Sequence, residues 1–89
     1  MQADTDSGQA VSPSQCRAAR ALVDISQERL AELASVGVST VRDFEAGRRQ
    51  PRAGSLASMR TALADLGVTI LDAGEASRTG GEGVRLDRG

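Results

Sequence analysis

The sequence predicts a mostly α fold, a compact bundle of four to five short helices with a short C-terminal β-hairpin or strand extension. Three observations carry this. Apolar residues recur at three- and four-residue spacing from Cys16 to Leu66. Serine and proline punctuate the starts of these stretches, and glycine their ends. Past Gly67 the period shortens to that of a strand. Phe44 is the only aromatic side chain in 89 residues, so Leu, Val, Ile and Ala must fill a small interior, which suits close-packed short helices.

Taken in order, Met1 to Val11 is polar and small, and residues 1–11 are expected to form a disordered tail. With Asp4 and Asp6 and no basic residue, that tail makes a poor arm for a nucleic-acid groove. Ser12-Pro13-Ser14-Gln15 reads as a helix start: Ser12 caps, Pro13 takes the first helical position and Gln15 completes a capping box. This helix should run to about Val23, with Cys16, Ala19, Leu22 and Val23 facing the core.

Ser26 caps a second helix, in which Leu30, Leu33 and Ala34 share one face; Ile25, just before the cap, can staple onto Leu30. Val38, Val41 and Phe44 repeat the pattern in a third helix, 38–46, with Glu45 beside them. Ser35, Val36 and Gly37 lie between. Gly37 is expected to supply the sharp turn and Val36 to plug the wedge. Ala31 and Ala34 allow a close crossing. Two helices joined in this way have helix-turn-helix geometry, although periodicity alone also fits any small α-hairpin.

Gly47 is expected as a left-handed cap, and Pro51 prevents continuation. A further helix from Gly54 or Ser55 to Leu66 has Leu56, Met59, Leu63 and Leu66 at core spacing and is closed by Gly67. Val68 to Leu71 and Val84 to Leu86 are β-capable runs around a glycine-rich segment. This divides the chain into residues 12–66, the helical domain, and residues 67–89, a β extension with a flexible loop. An isolated hairpin is marginal in water, so this one must pack on its own helices or join a two-fold dimer.

Composition excludes several classes. There is no histidine, and the single Cys16 supports neither an internal disulfide nor a cysteine cluster, so no metal or other cofactor is expected. Cys16 reads as a small buried hydrophobe. No paired carboxylates or phosphate-cradling glycine loop suggest an enzyme; Glu28 and Glu32, four apart, read as a solvated helix face. No apolar run approaches membrane-spanning length and nothing resembles a signal peptide, so a cytoplasmic protein with no membrane partner is expected. The net charge is −1, yet basic charge is concentrated locally: Arg48, Arg49, Arg52 and Arg60 fall between Ala46 and Thr61 with no acidic residue.

Ser26-Gln27-x-x-Leu30-Ala31-x-x-Ala34, then Val36-Gly37-Val38-Ser39-Thr40-Val41, then Phe44-Glu45-x-Gly47-Arg48-Arg49-x-Pro51, resembles the phage-repressor helix-turn-helix family of XRE or Cro/CI type, over roughly Gln15 to Leu66. The resemblance implies a partner in double-stranded DNA, with helix 38–46 as the recognition helix. Helical spacing leaves Val38, Ser39, Arg42 and Asp43 on its outer face or N-terminal edge. Residues there meet base edges in the major groove. The base-contact candidates are Val38, Ser39, Thr40, Arg42 and Asp43, with Arg42 the natural reader of guanine O6 and N7. Asp43 is the awkward member, able to accept from cytosine or to orient Arg42 or a loop arginine.

By the same resemblance, Ser26 and Gln27 sit at the helix terminus nearest DNA, and Arg48, Arg49 and Arg52 line the sugar-phosphate backbone. An arginine at the position of Arg20 commonly pairs with a glutamate at that of Glu45; solvated surface charges are the alternative. Where this chain has Gly37 the family more often has serine or threonine, which removes a hydroxyl cap and a phosphate contact. Some small members carry an extension of the type Gly67-Val68-x-x-x-Asp72 followed by Gly83-Val84-Arg85-Leu86. The implied function is a sequence-specific transcriptional regulator, a repressor and homodimer; the alternative is an antitoxin or adaptor module with a protein partner such as a toxin.

Overall fold

A computed structural model describes residues 11–71 and 83–87. Four helices are followed by two strands: α1 (Pro13–Val23), α2 (Gln27–Ala34), α3 (Val38–Glu45), α4 (Ala53–Asp65), β1 (Val68–Leu71) and β2 (Gly83–Leu86). The expected tail of residues 1–11 lies outside the described residues except for Val11, which is packed into the core rather than free. The expected glycine-rich loop also lies outside them.

The capping box of α1 forms as its residues dictate. Gln15 N donates to Ser12 Oγ at 3.1 Å and Ser12 N to Gln15 Oε1 at 2.9 Å. The other end of the same amide reaches the hairpin. Gln15 Nε2 donates to the carbonyls of Leu71 (2.7 Å) and Gly83 (2.9 Å), pinning both strands to the start of α1. The strands run antiparallel, with Val68 opposite Leu86 and Ile70 opposite Val84. Val68 and Ile70, two apart, share the buried face, and the hairpin packs on α1 and α4. Arg60 donates to the Ile70 carbonyl at 3.2 Å, so this basic residue serves the hairpin.

One core joins Cys16 and Ala19 of α1, Leu30, Ala31 and Ala34 of α2, Val41 and Phe44 of α3, Leu56, Met59, Ala62 and Leu63 of α4, and the two strand residues. Val36 packs against this cluster from the turn. Three expected core leucines do not enter it: Leu22, Leu33 and Leu66 are 41%, 39% and 39% exposed. Each has a geometric reason. The buried arc of α2 is centred between Leu30 and Ala31, and Leu33 falls about 110° away at 100° per residue. Leu22 lies two turns beyond Gln15 on the strip of α1 that the hairpin covers at its Gln15 end. Leu66 is the C-cap of α4, outside the helical register.

The turn differs from expectation as well. Gly37 is extended (φ −71°), and Ser35 takes the left-handed conformation (φ 58°). Where the chain leaves α2 is set by its last hydrogen bonds: Val36 N donates to Ala31 O at 3.0 Å, which forces φ positive at the intervening Ser35. Gly47 (φ 80°) closes α3 as expected, with Arg48 N donating to Asp43 O at 2.8 Å.

Candidate nucleic-acid interface

The outer face of α3 begins at Gly37, an N-cap without a side-chain hydrogen bond. Val38, Ser39, Arg42 and Asp43 fall within an arc of about 140°. Ser39 and Arg42 are exposed; Val38 is half-buried with part of its side chain against the core. Thr40 is half-buried toward the inner edge, next to Phe44 on the helical wheel. The candidate base contacts therefore form one continuous strip, apolar at Val38 and polar beyond it, with Thr40 at its margin.

Two of these side chains are paired. Arg42 Nη2 donates to Glu28 Oε2 of α2 at 2.7 Å, and Arg48 Nη2 to Asp43 Oδ1 at 2.9 Å. Asp43 thus orients a loop arginine. Glu28 is more than a solvated face: its own backbone N–H, and then the Arg42 guanidinium, hold its carboxyl below the usual range. No i, i+4 rule reveals a contact between residues 28 and 42, because it depends on how two helices cross.

At the start of α2, Ser26 Oγ accepts from Arg29 N at 2.9 Å, leaving the exposed serine as the cap next to the turn's free N–H groups. Gln27 touches α3 directly, its Nε2 donating to Glu45 Oε1 at 2.9 Å. Beyond α3, Arg49 and Arg52 are exposed, and their side chains make no ion pair or hydrogen bond among the described residues.

Glu45 holds this arrangement from inside. It is 4% exposed, and Arg20 reaches it through Nε to Oε2 (2.8 Å) and Nη2 to Oε1 (2.7 Å). Cys16 Sγ donates to Oε2 at 3.0 Å, and Arg17 to the Glu45 carbonyl. Arg20 also bonds the Ile25 carbonyl at 3.1 Å. Burial pushes the Glu45 carboxyl up, but hydrogen bonds from Arg20, Cys16 and Gln27 outweigh it and hold the group below its ordinary value. Burial, and then donation to Glu45, push the Cys16 thiol far above its ordinary value, so it stays protonated as a donor. The Cys16 contact is hidden in the sequence, where a lone cysteine at core spacing looks like any small apolar residue.

Among the described residues no group of three or more His, Cys, Asp or Glu is placed to hold a metal, and no helix is long and apolar enough to cross a membrane. A short helix crossing over another, with a polar strip turned outward and an arginine loop at its end, defines a helix-turn-helix DNA-binding domain. The particular family follows from comparison. The model of the helix-turn-helix family, XRE (Cro/CI) type, matches residues 17–71, more than half of the chain, and the chain belongs to that family. It is accordingly a DNA-binding regulator of that type. No curated protein matches the chain.

Proposed function

We propose that the chain is a sequence-specific repressor that lays α3 in the major groove, reading bases with Val38, Ser39, Thr40, Arg42 and Asp43. Ser26, Gln27, Arg48, Arg49 and Arg52 hold phosphates on either side. The observation that carries the reading is the strip from Val38 to Asp43 beside Arg49 and Arg52, both unpaired among the described residues. A homodimer matching two half-sites about one helical turn apart completes the proposal. Because β1 and β2 already pack on α1 and α4 of their own chain, a dimer contact through the hairpin would use its outer face.

The test is selection from a random duplex library at near-physiological salt, run on the wild type and Arg42→Ala. A palindrome enriched by the wild type and altered at defined positions by the variant supports a dimeric reader with Arg42 in the groove. A single unrepeated half-site removes the dimer. No enrichment removes the DNA-reading proposal and turns attention to a protein partner, as for an antitoxin or adaptor.

A further inference from the structure

We infer that Glu28 is a specificity-determining residue: it holds Arg42 so that this arginine serves a base edge and is withheld from phosphates. The inference rests on the reading of α3 as the groove-facing helix. Glu28 is the second residue of α2, and Arg42 reaches it across the turn at 2.7 Å. The two side chains are 63% and 50% exposed, so both are open to solvent. Glu28 also keeps its place without Arg42, because an acid in a helix's first turn is favoured by the unsatisfied N–H groups there.

The pairing is selective because of what it leaves over. A guanidinium has five N–H donors in a planar fork, and one of them, on Nη2, is used by Glu28. The others have no partner among the described residues and are available to guanine O6 and N7, which are neutral acceptors and tolerate a carboxylate behind the arginine. A phosphate at the same place carries a full negative charge beside that of Glu28. It also finds Arg42 already neutralised. The Asp43–Arg48 pair at 2.9 Å repeats this cancellation at the next residue, leaving Arg49 and Arg52 as the uncompensated cations of the loop among the described residues. Two of the four arginines named here are thus cancelled within the binding face. Affinity for arbitrary DNA, which comes from phosphate neutralisation, is held down there, while affinity through base contacts is spared.

The experiment measures affinity for the selected duplex and for a scrambled duplex, at several salt concentrations, in the wild type, Glu28→Gln, Arg42→Ala and the double variant. Glu28→Gln keeps the length and the hydrogen-bond acceptor and removes the charge. Because the residue is exposed, the fold is retained, which melting temperature verifies. Glu28→Gln should tighten scrambled-DNA binding by about fivefold, the scale of one exposed ion pair, and steepen its salt dependence. Selected-duplex binding should change less, so the specificity ratio falls. In the Arg42→Ala background the same change should leave the ratio unaltered, because the arginine it governs is gone. Equal tightening on both duplexes with Arg42 present would overturn the inference, since it would reduce Glu28 to general repulsion. A wild type that does not distinguish the two duplexes would instead remove the groove reading itself.

Discussion

Arg20 grips Glu45 with two parallel hydrogen bonds, at 2.8 Å and 2.7 Å, and so ties the last turn of α1 to the last residue of α3. The same carboxylate receives Gln27 from the first turn of α2. Three helices therefore meet on one side chain, and a single buried charge ties α3 to both α1 and α2. A fork-shaped donor suits this position, since a lysine supplies no planar pair of N–H groups.

Removal of one partner should be costly. Arg20→Ala leaves a buried carboxylate with only the Gln27 amide and the Cys16 thiol on its side-chain oxygens. The expected loss is about 3 kcal/mol, the lower end for a buried pair because Arg20 retains some exposure. Denaturant titration of Arg20→Ala, Glu45→Ala and the double variant should give a coupling of at least about 1 kcal/mol. Simple additivity would mean that the two residues stabilise the fold independently.

The same carboxyl predicts how stability depends on pH. Its folded value is depressed below the ordinary 4.5. A depressed acid contributes stability that is fully present above its unfolded pKa and is lost as pH falls through the folded one. Thermal melts should therefore be flat in this respect above pH 4.5 and decline below it. Glu45→Gln should be less stable near neutral pH, with a shallower acid decline. An unchanged acid slope in that variant would assign the decline to other carboxylates.

The turns offer a test of opposite sign at two positions. Ser35 holds a left-handed backbone that glycine adopts freely, so Ser35→Gly should stabilise by about 0.5 kcal/mol after the added freedom of the unfolded chain is subtracted. Gly47 has φ 80° with open space around its missing side chain, so Gly47→Ala should cost about 1 kcal/mol from the backbone alone. Melting temperatures of the two single variants should move in opposite directions. A stabilised Gly47→Ala would contradict the assigned turn.

These positions also mark where the sequence is legible. Helix starts are readable because a cap is a local event: Ser12 with Gln15, and Ser26 with the turn that follows it, act over three residues. The hairpin is readable from its change of period. Ser35 is not, because glycine preference points to Gly37 while the true left-handed site depends on where the hydrogen bonds of α2 run out. Leu33 escapes the core because three apolar residues on a short helix leave the centre of the buried arc undetermined until a neighbour is packed on it. In the candidate interface the strip from Val38 to Asp43 is visible from helical spacing alone. The Glu28–Arg42 pair and the tether from Gln15 to Leu71 and Gly83 are not, since 14, 56 and 68 residues separate their members and only the finished packing brings them together.

The loop after α3 separates positioning from reading. Arg49 and Arg52 are uncommitted among the described residues, whereas Arg48 is held by Asp43 at 2.9 Å. If the first two neutralise phosphates, each alanine substitution should flatten the plot of log affinity against log salt by about one unit, equally on selected and scrambled duplexes. Arg48→Ala should flatten it by less, because the charge it removes is already partly cancelled and its loss exposes Asp43 to the phosphates. Fluorescence anisotropy with a labelled duplex over a roughly tenfold range of salt resolves the difference. Slopes unchanged in Arg49→Ala and Arg52→Ala would place the backbone away from this loop and tilt α3 in the groove toward the Ser26 end, where the N–H groups of α2 would then have to supply the phosphate contacts.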